Sequence, residues 1–178
     1  MNSLRYEPSV TVRRSILRDL SEKLKETVSL AIPQGTKLIY FDRLESHWPF
    51  QVNLRVGDAL PLHCCASGKL YLSTMDTEAA LGVFDRIAHK VSARNTIVEA
   101  TRFEAELYDI RSAGYSLDNE EWFDDMVGAS VPIFSDSGAL VACLSTHALV
   151  TRKPIQTLRD EIPFMQKAAG ELKSVLLG

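Results

Sequence analysis

GDALPLHCCASGKLY, Gly57 to Tyr71, joins three local signals in fifteen residues. Gly57-Asp58 is a turn pair, and Pro61 stops a strand because it has no N–H for a ladder. Cys64, Cys65, Ala66, Ser67 and Gly68 then open a helix with small side chains. The first N–H groups of a helix have no intrahelical partner and attract anions, and small residues there let a ligand approach the backbone.

Upstream of this stretch, Val12, Ile16, Leu20 and Leu24 recur every four residues, which predicts an amphipathic helix over Val10–Lys25. Arg13, Arg14, Arg18, Lys23 and Lys25 read as its wet side. Three strands are expected next. Val28–Ile32 ends at Pro33, Lys37–Leu44 follows the Gln34-Gly35 turn, and Phe50–Val56 alternates Val52, Leu54 and Val56 with polar residues. Downstream, helices are expected over Ala66–Leu72, Thr77–Val91 and Arg102–Ser112, the last closed by Gly114 as a C′ glycine. Val127–Phe134 and Ala139–Leu144 form a hairpin around Ser135–Gly138. From Ile155 to Leu176 apolar residues step by three and four, a helical stripe in which Pro163 marks a kink or a restart. This order predicts an α+β fold with a central antiparallel sheet of about six strands flanked by helices.

The chain has 178 residues, enough for one domain with a full core and too few for two. A net charge of −3 and no basic helix-turn-helix pair argue against a free-standing nucleic-acid binder. No apolar run reaches the length of a membrane span, and the N-terminus has no signal-peptide core. Three cysteines, two of them adjacent, do not make a disulfide framework, so a cytoplasmic setting is expected.

Several chemical motifs fail on inspection. Gly68-Lys69 would need Gly at 63 and Ser or Thr at 70 for a phosphate loop, but His63 and Leu70 stand there. The acidic run from Asp118 has Phe123 where a calcium loop needs glycine. His63, Cys64 and Cys65, with Cys143, His147 or Asp118, raise a metal centre or a cysteine nucleophile as alternatives, but the spacing fits no standard zinc pattern. Adjacent cysteines on a packed helix are more often small hydrophobes. No metal and no cofactor is expected, and no enzymatic activity.

The chain resembles the effector-binding domain of IclR-type transcriptional regulators. Three blocks carry the resemblance in order. The first is G-x-x-x-P-L-H-x-x-A-x-G-K at Gly57, Pro61, Leu62, His63, Ala66, Gly68 and Lys69. The second is R-x-x-G-Y-S-x-D-x-E-E at Arg111, Gly114, Tyr115, Ser116, Asp118, Glu120 and Glu121. The third is GASVPIF at Gly128–Phe134, followed by L-S-T-H at Leu144–His147. The resemblance implies a GAF-like fold and one effector-binding domain over residues 1–178. Residues 1–9 would be the end of a linker, and DNA contact would belong to an N-terminal winged helix-turn-helix that this stretch lacks. It implies a small, anionic effector, a homodimer or homotetramer, and no membrane partner.

The same resemblance implies the binding residues. The amides of Ala66 and Ser67 would hold the anionic group, and Asp118 would accept from a hydroxyl or orient a water. Gly128 stands where many relatives carry cysteine, which would enlarge the pocket. Ser145 and His147, two apart on one strand, would face the ligand together. His147 brings an imidazole that charges near neutral pH in place of a small hydroxyl, and Asp125 and Met126 stand where relatives often have Gly and Val. A ligand-free oligomerisation module remains open beside this reading.

Overall fold

The computed structural model describes residues 7–49, 52–87 and 90–178. The first apolar stripe forms α1 (Glu7–Leu24), with Leu17, Leu20 and Leu24 buried and Val12 exposed. The inward face is therefore rotated from the expected one. Arg13 is buried rather than wet, and Arg13 and Arg14 each reach Asp42 at 2.8 Å. Lys25 takes a left-handed φ of 60° and turns the chain into the sheet.

Hairpin β1 (Thr27–Gln34) and β2 (Lys37–Leu44) follows, with Gly35 at φ 61° in the turn. β1 continues past Pro33 because β5 pairs with it only as far as Ala31. Then come α2 (Ala66–Ser73), α3 (Thr77–Ile87) and α4 (Ala100–Ala113). Gly114 closes α4 in the left-handed conformation, its N–H on the Ile110 carbonyl, as expected of a C-terminal glycine. β3 (Ser116–Asn119), β4 (Met126–Phe134) and β5 (Leu140–Leu149) complete the sheet, and α5 (Ile155–Leu177) ends the chain. α5 does not restart at Pro163. That residue lies on the exposed side, where the carbonyl left without a donor can turn to water.

The fold is α+β, and every strand pair is antiparallel, in the order β2-β1-β5-β4-β3. The sheet has five strands rather than about six. Phe50 and Gln51 lie outside the described residues, and residues 52–56 form no strand. Instead the next few residues dock on the open edge of β2. Gly57 N–H donates to the Tyr40 carbonyl at 2.8 Å, Tyr40 N–H to Asp58 at 3.0 Å and Leu60 N–H to Leu38 at 2.8 Å. An alternating hydrophobic pattern thus sits on a lid over the sheet. The strand missed from sequence was β3, only four residues long and too polar to signal itself.

Helices cover both faces. α1 and α5 pack Leu17, Leu20, Leu158, Met165 and Leu172 onto Val28, Leu30, Val131 and Leu144. On the other face α2, α3 and α4 bring Leu70, Leu72, Phe84, Phe103 and Leu107 to Ala31, Tyr40 and Cys143. Each fully buried leucine stabilises the fold by about 1.5–3 kcal/mol. Gly68 sets the height of α2. A Cβ there would stand 2.2 Å from the Pro61 carbonyl oxygen and 2.6 Å from the Leu62 Cα. The glycine of the 57–71 stretch is required because two backbones touch at that point.

Candidate functional site

Strand residues alternate faces, so the register fixes what points at α2. One cross-strand row runs through all five strands: Arg43, Ser29, Ser145, Ser130 and Ser116. The next row on that face is Thr27, His147, Gly128 and Asp118. The centre of the α2-facing surface is therefore polar, whereas the opposite face is mainly apolar core with Asp42 and Thr146 among it. All four serines of the first row are at most 1% exposed.

Part of this polarity is satisfied. Ser67 Oγ and Ser130 Oγ are 3.0 Å apart, which ties α2 to β4. Arg43 Nη1 donates to Ser29 Oγ at 3.3 Å and Nη2 to the Val52 carbonyl at 3.4 Å. Ser145 Oγ, Ser116 Oγ, Tyr40 OH and Arg43 Nε are buried without a hydrogen-bond partner. A buried donor left unpaired costs about 1–3 kcal/mol, so four on one face need an explanation.

A cavity of about 180 Å³ opens at this face, lined by Thr27, Arg43, Val52, Leu54, His147 and Arg152 among others. A cavity of about 150 Å³ accommodates a benzene ring. Ser46, Val52 and Leu54 contribute its outer wall. Trp48 donates from Nε1 to the Lys25 carbonyl at 2.7 Å and stacks under the Arg152 guanidinium at 4.6 Å. A wider surface groove of about 1140 Å³ beside α3 holds none of the expected site residues.

The six expected residues all lie on this face, at different depths. His147 lines the open cavity, half-buried, its ring edge-on to Trp122 at 5.9 Å. Ala66, Ser67, Asp118 and Ser145 lie in the sealed layer between α2 and the sheet. Gly128 does not enlarge the pocket, because the His147 ring occupies the space beside it, 3.0 Å from where a Cβ would stand. Nor does His147 charge near neutral pH. Burial, and then the Arg43 charge, push its pKa down to about 4. At the start of α2, Gly68 N–H donates to Cys65 Sγ and Lys69 N–H to the Cys65 carbonyl, leaving the amides of Ala66 and Ser67 as the two outside the cap.

Asp118 braces the chain after β3. Its Oδ1 accepts the Glu121 N–H at 2.8 Å. Below it Lys69, fully buried, donates to Glu106 at 2.6 Å and to Glu121 at 2.8 Å. Two carboxylates thus share one ammonium, and Asp118 stands next to one of them. Burial, and then the nearby Glu121 charge, raise the Asp118 pKa to about 7. Desolvation opposes the charge on Lys69, but its two carboxylate partners outweigh that and hold it above the ordinary lysine value.

The cysteines are buried and free. Burial pushes Cys64 and Cys143 up to about 12 and Cys65 well above the ordinary thiol value. Such thiols are poor nucleophiles at neutral pH. Among the described residues no group of three His, Cys, Asp or Glu side chains is placed to hold a metal ion, and no helix is long and apolar enough to cross a membrane.

Sequence reasoning missed Arg43 and Tyr40. The register shifts between β1 and β2 at Leu30/Ala31, where Phe41 is the extra residue. Strict alternation would put Arg43 with Phe41 and opposite Tyr40. The bulge turns Arg43 and Tyr40 to the same face. Ser29 and Ser130 carried a faint signal, a lone hydroxyl between apolar neighbours in each run.

Comparison with known proteins places this geometry in a family. The model for the C-terminal region of the bacterial transcriptional regulator IclR matches residues 3–172. The probable transcriptional regulator SauR of Cupriavidus necator is 28% identical over 97% of this chain and 68% of its own length. The first four curated relatives are covered over 50–68% of their lengths. The Thermotoga maritima IclR crystal structure superposes with a TM-score of 0.85 at 26% identity, over 97% of this chain and 70% of that one. A double mutant of the Acinetobacter PobR inducer-binding domain, complexed with 3-hydroxybenzoic acid, superposes at 0.81 with 25% identity, over 92% and 96%.

Proposed function

This chain belongs to the IclR C-terminal family, the effector-binding domains of transcriptional regulators rather than enzymes, and on that premise we propose that it senses a small carboxylate. The observation that carries the reading is the buried polar face, on which Ser145, Ser116, Tyr40 and Arg43 have unpaired donors and Arg43 itself lines a cavity the size of a small ring. A ligand rich in acceptors satisfies those groups, whereas an empty polar layer leaves each at a cost. Ser145 and His147 donate to the ligand, Asp118 orients it or a water, and the amides of Ala66 and Ser67 complete the inner wall. Gly128 shapes the wall by admitting the His147 ring.

In a regulator carrying a DNA-reading domain, binding biases a homodimer or homotetramer between two arrangements by the ligand's differential affinity for them. Such a protein works in the cytoplasm, where its DNA is. A thermal-shift panel of small carboxylates, hydroxy acids and aromatic acids tests the reading. A ligand at about 100 times its Kd adds about 2.7 kcal/mol, a midpoint rise of about 5–10 °C in a domain of this size. The rise is expected to shrink in His147→Ala and Ser145→Ala. If no member of a broad panel moves the midpoint, the domain is an assembly module without a ligand.

A further inference from the structure

The charges around the cavity balance in pairs except for one. Glu26, nearly buried, is held by Arg152 through two bonds of 3.1 and 2.9 Å. Asp42, on the opposite face, is clamped by Arg13 and Arg14. The Arg43 side chain is only 7% exposed, and its nearest carboxylate, on the 60% exposed Glu45, lies 3.8 Å from Nε. Its hydrogen bonds are the long ones to Ser29 Oγ and the Val52 carbonyl, both neutral, and Nε has none. The Tyr40 ring lies beneath it, 5.7 Å from its centre. Taking a guanidinium out of water with only a long ion pair to an exposed carboxylate leaves much of its desolvation cost, several kcal/mol, uncompensated. The group can only donate, and its fork matches the two oxygens of a carboxylate.

Resting on the sensing function proposed above, we infer that Arg43 holds the effector's anionic group, and that Ser145 takes a second oxygen of the same molecule. Arg43 and Ser145 flank Ser29 in one cross-strand row, two strand spacings of about 4.8 Å apart. His147 is the neighbour of Ser145 on the cavity side and stays neutral beside the guanidinium. A small acid with a hydroxyl or carbonyl oxygen a few bonds from its carboxylate is long enough to span this distance; the cavity of about 180 Å³ is lined by Arg43 and His147, and Ser145 lies one step behind it. The start of α2, which does not line this cavity, is then not the main anion partner. This assignment moves the charge recognition from α2 to β2.

The test uses matched acid and amide pairs on the intact chain: lactate and lactamide, benzoate and benzamide, 3-hydroxybenzoate and 3-hydroxybenzamide. Binding is followed by midpoint shift and calorimetry in wild type, Arg43→Met and Arg43→Lys. At least one acid is expected to bind wild type while its amide does not. Arg43→Met is expected to weaken that acid by about ten- to a hundred-fold. The empty variant keeps at least the wild-type midpoint, since an unpaired buried charge has been replaced by an apolar chain of similar reach. Should Arg43→Met fail to fold, Arg43→Lys keeps the charge without the fork and is expected to weaken the acid by about tenfold, with the amide unchanged. Acid binding equal in wild type and in the folded variants overturns the inference and leaves the sensing function standing. Wild-type binding that does not distinguish acid from amide overturns it as well. Silence of every pair overturns it too, and silence of the broad panel removes the sensing function with it.

Discussion

The imidazole of His147 lies in the space that a side chain at Gly128 would fill. The two residues are cross-strand partners, and a Cβ on Gly128 would stand 3.0 Å from His147 Cδ2 and 3.4 Å from Nε2. The two positions read from sequence as departures from the family pattern are thus in direct contact. Gly128→Ala is expected to destabilise the wild type by about 1 kcal/mol, because the ring must tilt away from Trp122. In a His147→Ala background the same change is expected to stabilise by about 0.5–1 kcal/mol, since alanine loses less backbone entropy than glycine in a strand. A urea double-mutant cycle measures the coupling, expected at about 1–2 kcal/mol. Additive effects would mean the ring and the glycine are independent.

Three helical glycines separate close contact from mere flexibility. Gly68→Ala places a Cβ 2.2 Å from the backbone oxygen of Pro61. Neither partner is a flexible side-chain end, so α2 must lift from the sheet, and a loss of more than about 3 kcal/mol is expected. Gly82 in α3 and Gly170 in α5 meet nothing within 4 Å. Alanine at either is expected to stabilise by about 0.4–1 kcal/mol. Urea midpoints of the three single variants check the ordering, and a well-folded Gly68→Ala would mean that the Pro61–Leu62 backbone yields.

What could be read in advance follows from how local each signal is. The α4 C-terminus was legible because Gly114 is a local device, and the β4–β5 hairpin because its turn residues are. The face of α1 was misjudged because Arg13 pairs with Asp42, 29 residues away, and no local rule contains that contact. The 52–56 alternation looked like a strand because period two records which side is apolar, and a lid over a core has such a side too. In the site, Ser145 and His147 were legible as neighbours on one face. Arg43 was hidden because a bulge breaks the alternation that would have revealed it. The charge state of His147 depends on its burial and on Arg43, both set by tertiary structure.

Lys69 holds a charge network together from a position with no exposure. Removing it leaves Glu121, only 6% exposed, without its ammonium, and Glu106 on α4 without its partner on α2. Lys69→Met is expected to cost about 3–5 kcal/mol, as does breaking other buried ion pairs from one side. Adding Glu121→Gln is expected to recover a good part of that loss, because the stranded charge is then gone. Chemical denaturation of the single and double variants reads this directly. A double variant no more stable than Lys69→Met would mean that packing of the lysine stem, and not the charge, dominates.

Asp118 and His147 make opposite demands on protons, and the pH dependence of stability is expected to expose this. The native pKa of His147 lies near 4, below its ordinary value of 6.5. Between those limits the unfolded chain holds a proton there that the native protein lacks, so this residue makes stability rise with pH. Asp118 is raised from 3.8 to about 7. Across that window the native protein holds a proton that the unfolded chain has released, so this residue makes stability fall with pH. From pH 4 to 6.5 the two largely cancel. Asp118→Asn keeps the acceptor for the Glu121 N–H and removes the titration, so its stability is expected to climb with pH more steeply than wild type. His147→Gln is expected to lose stability relative to wild type over the same range. The limiting slope for one proton is about 1.4 kcal/mol per pH unit. Urea unfolding free energies at half-unit steps from pH 4 to 8 separate the three proteins. Parallel curves would mean that neither group titrates differently on folding. Curves that diverge in the stated senses would mean that an acid bound beside His147 and Asp118 meets a pocket whose proton count its own charge can shift.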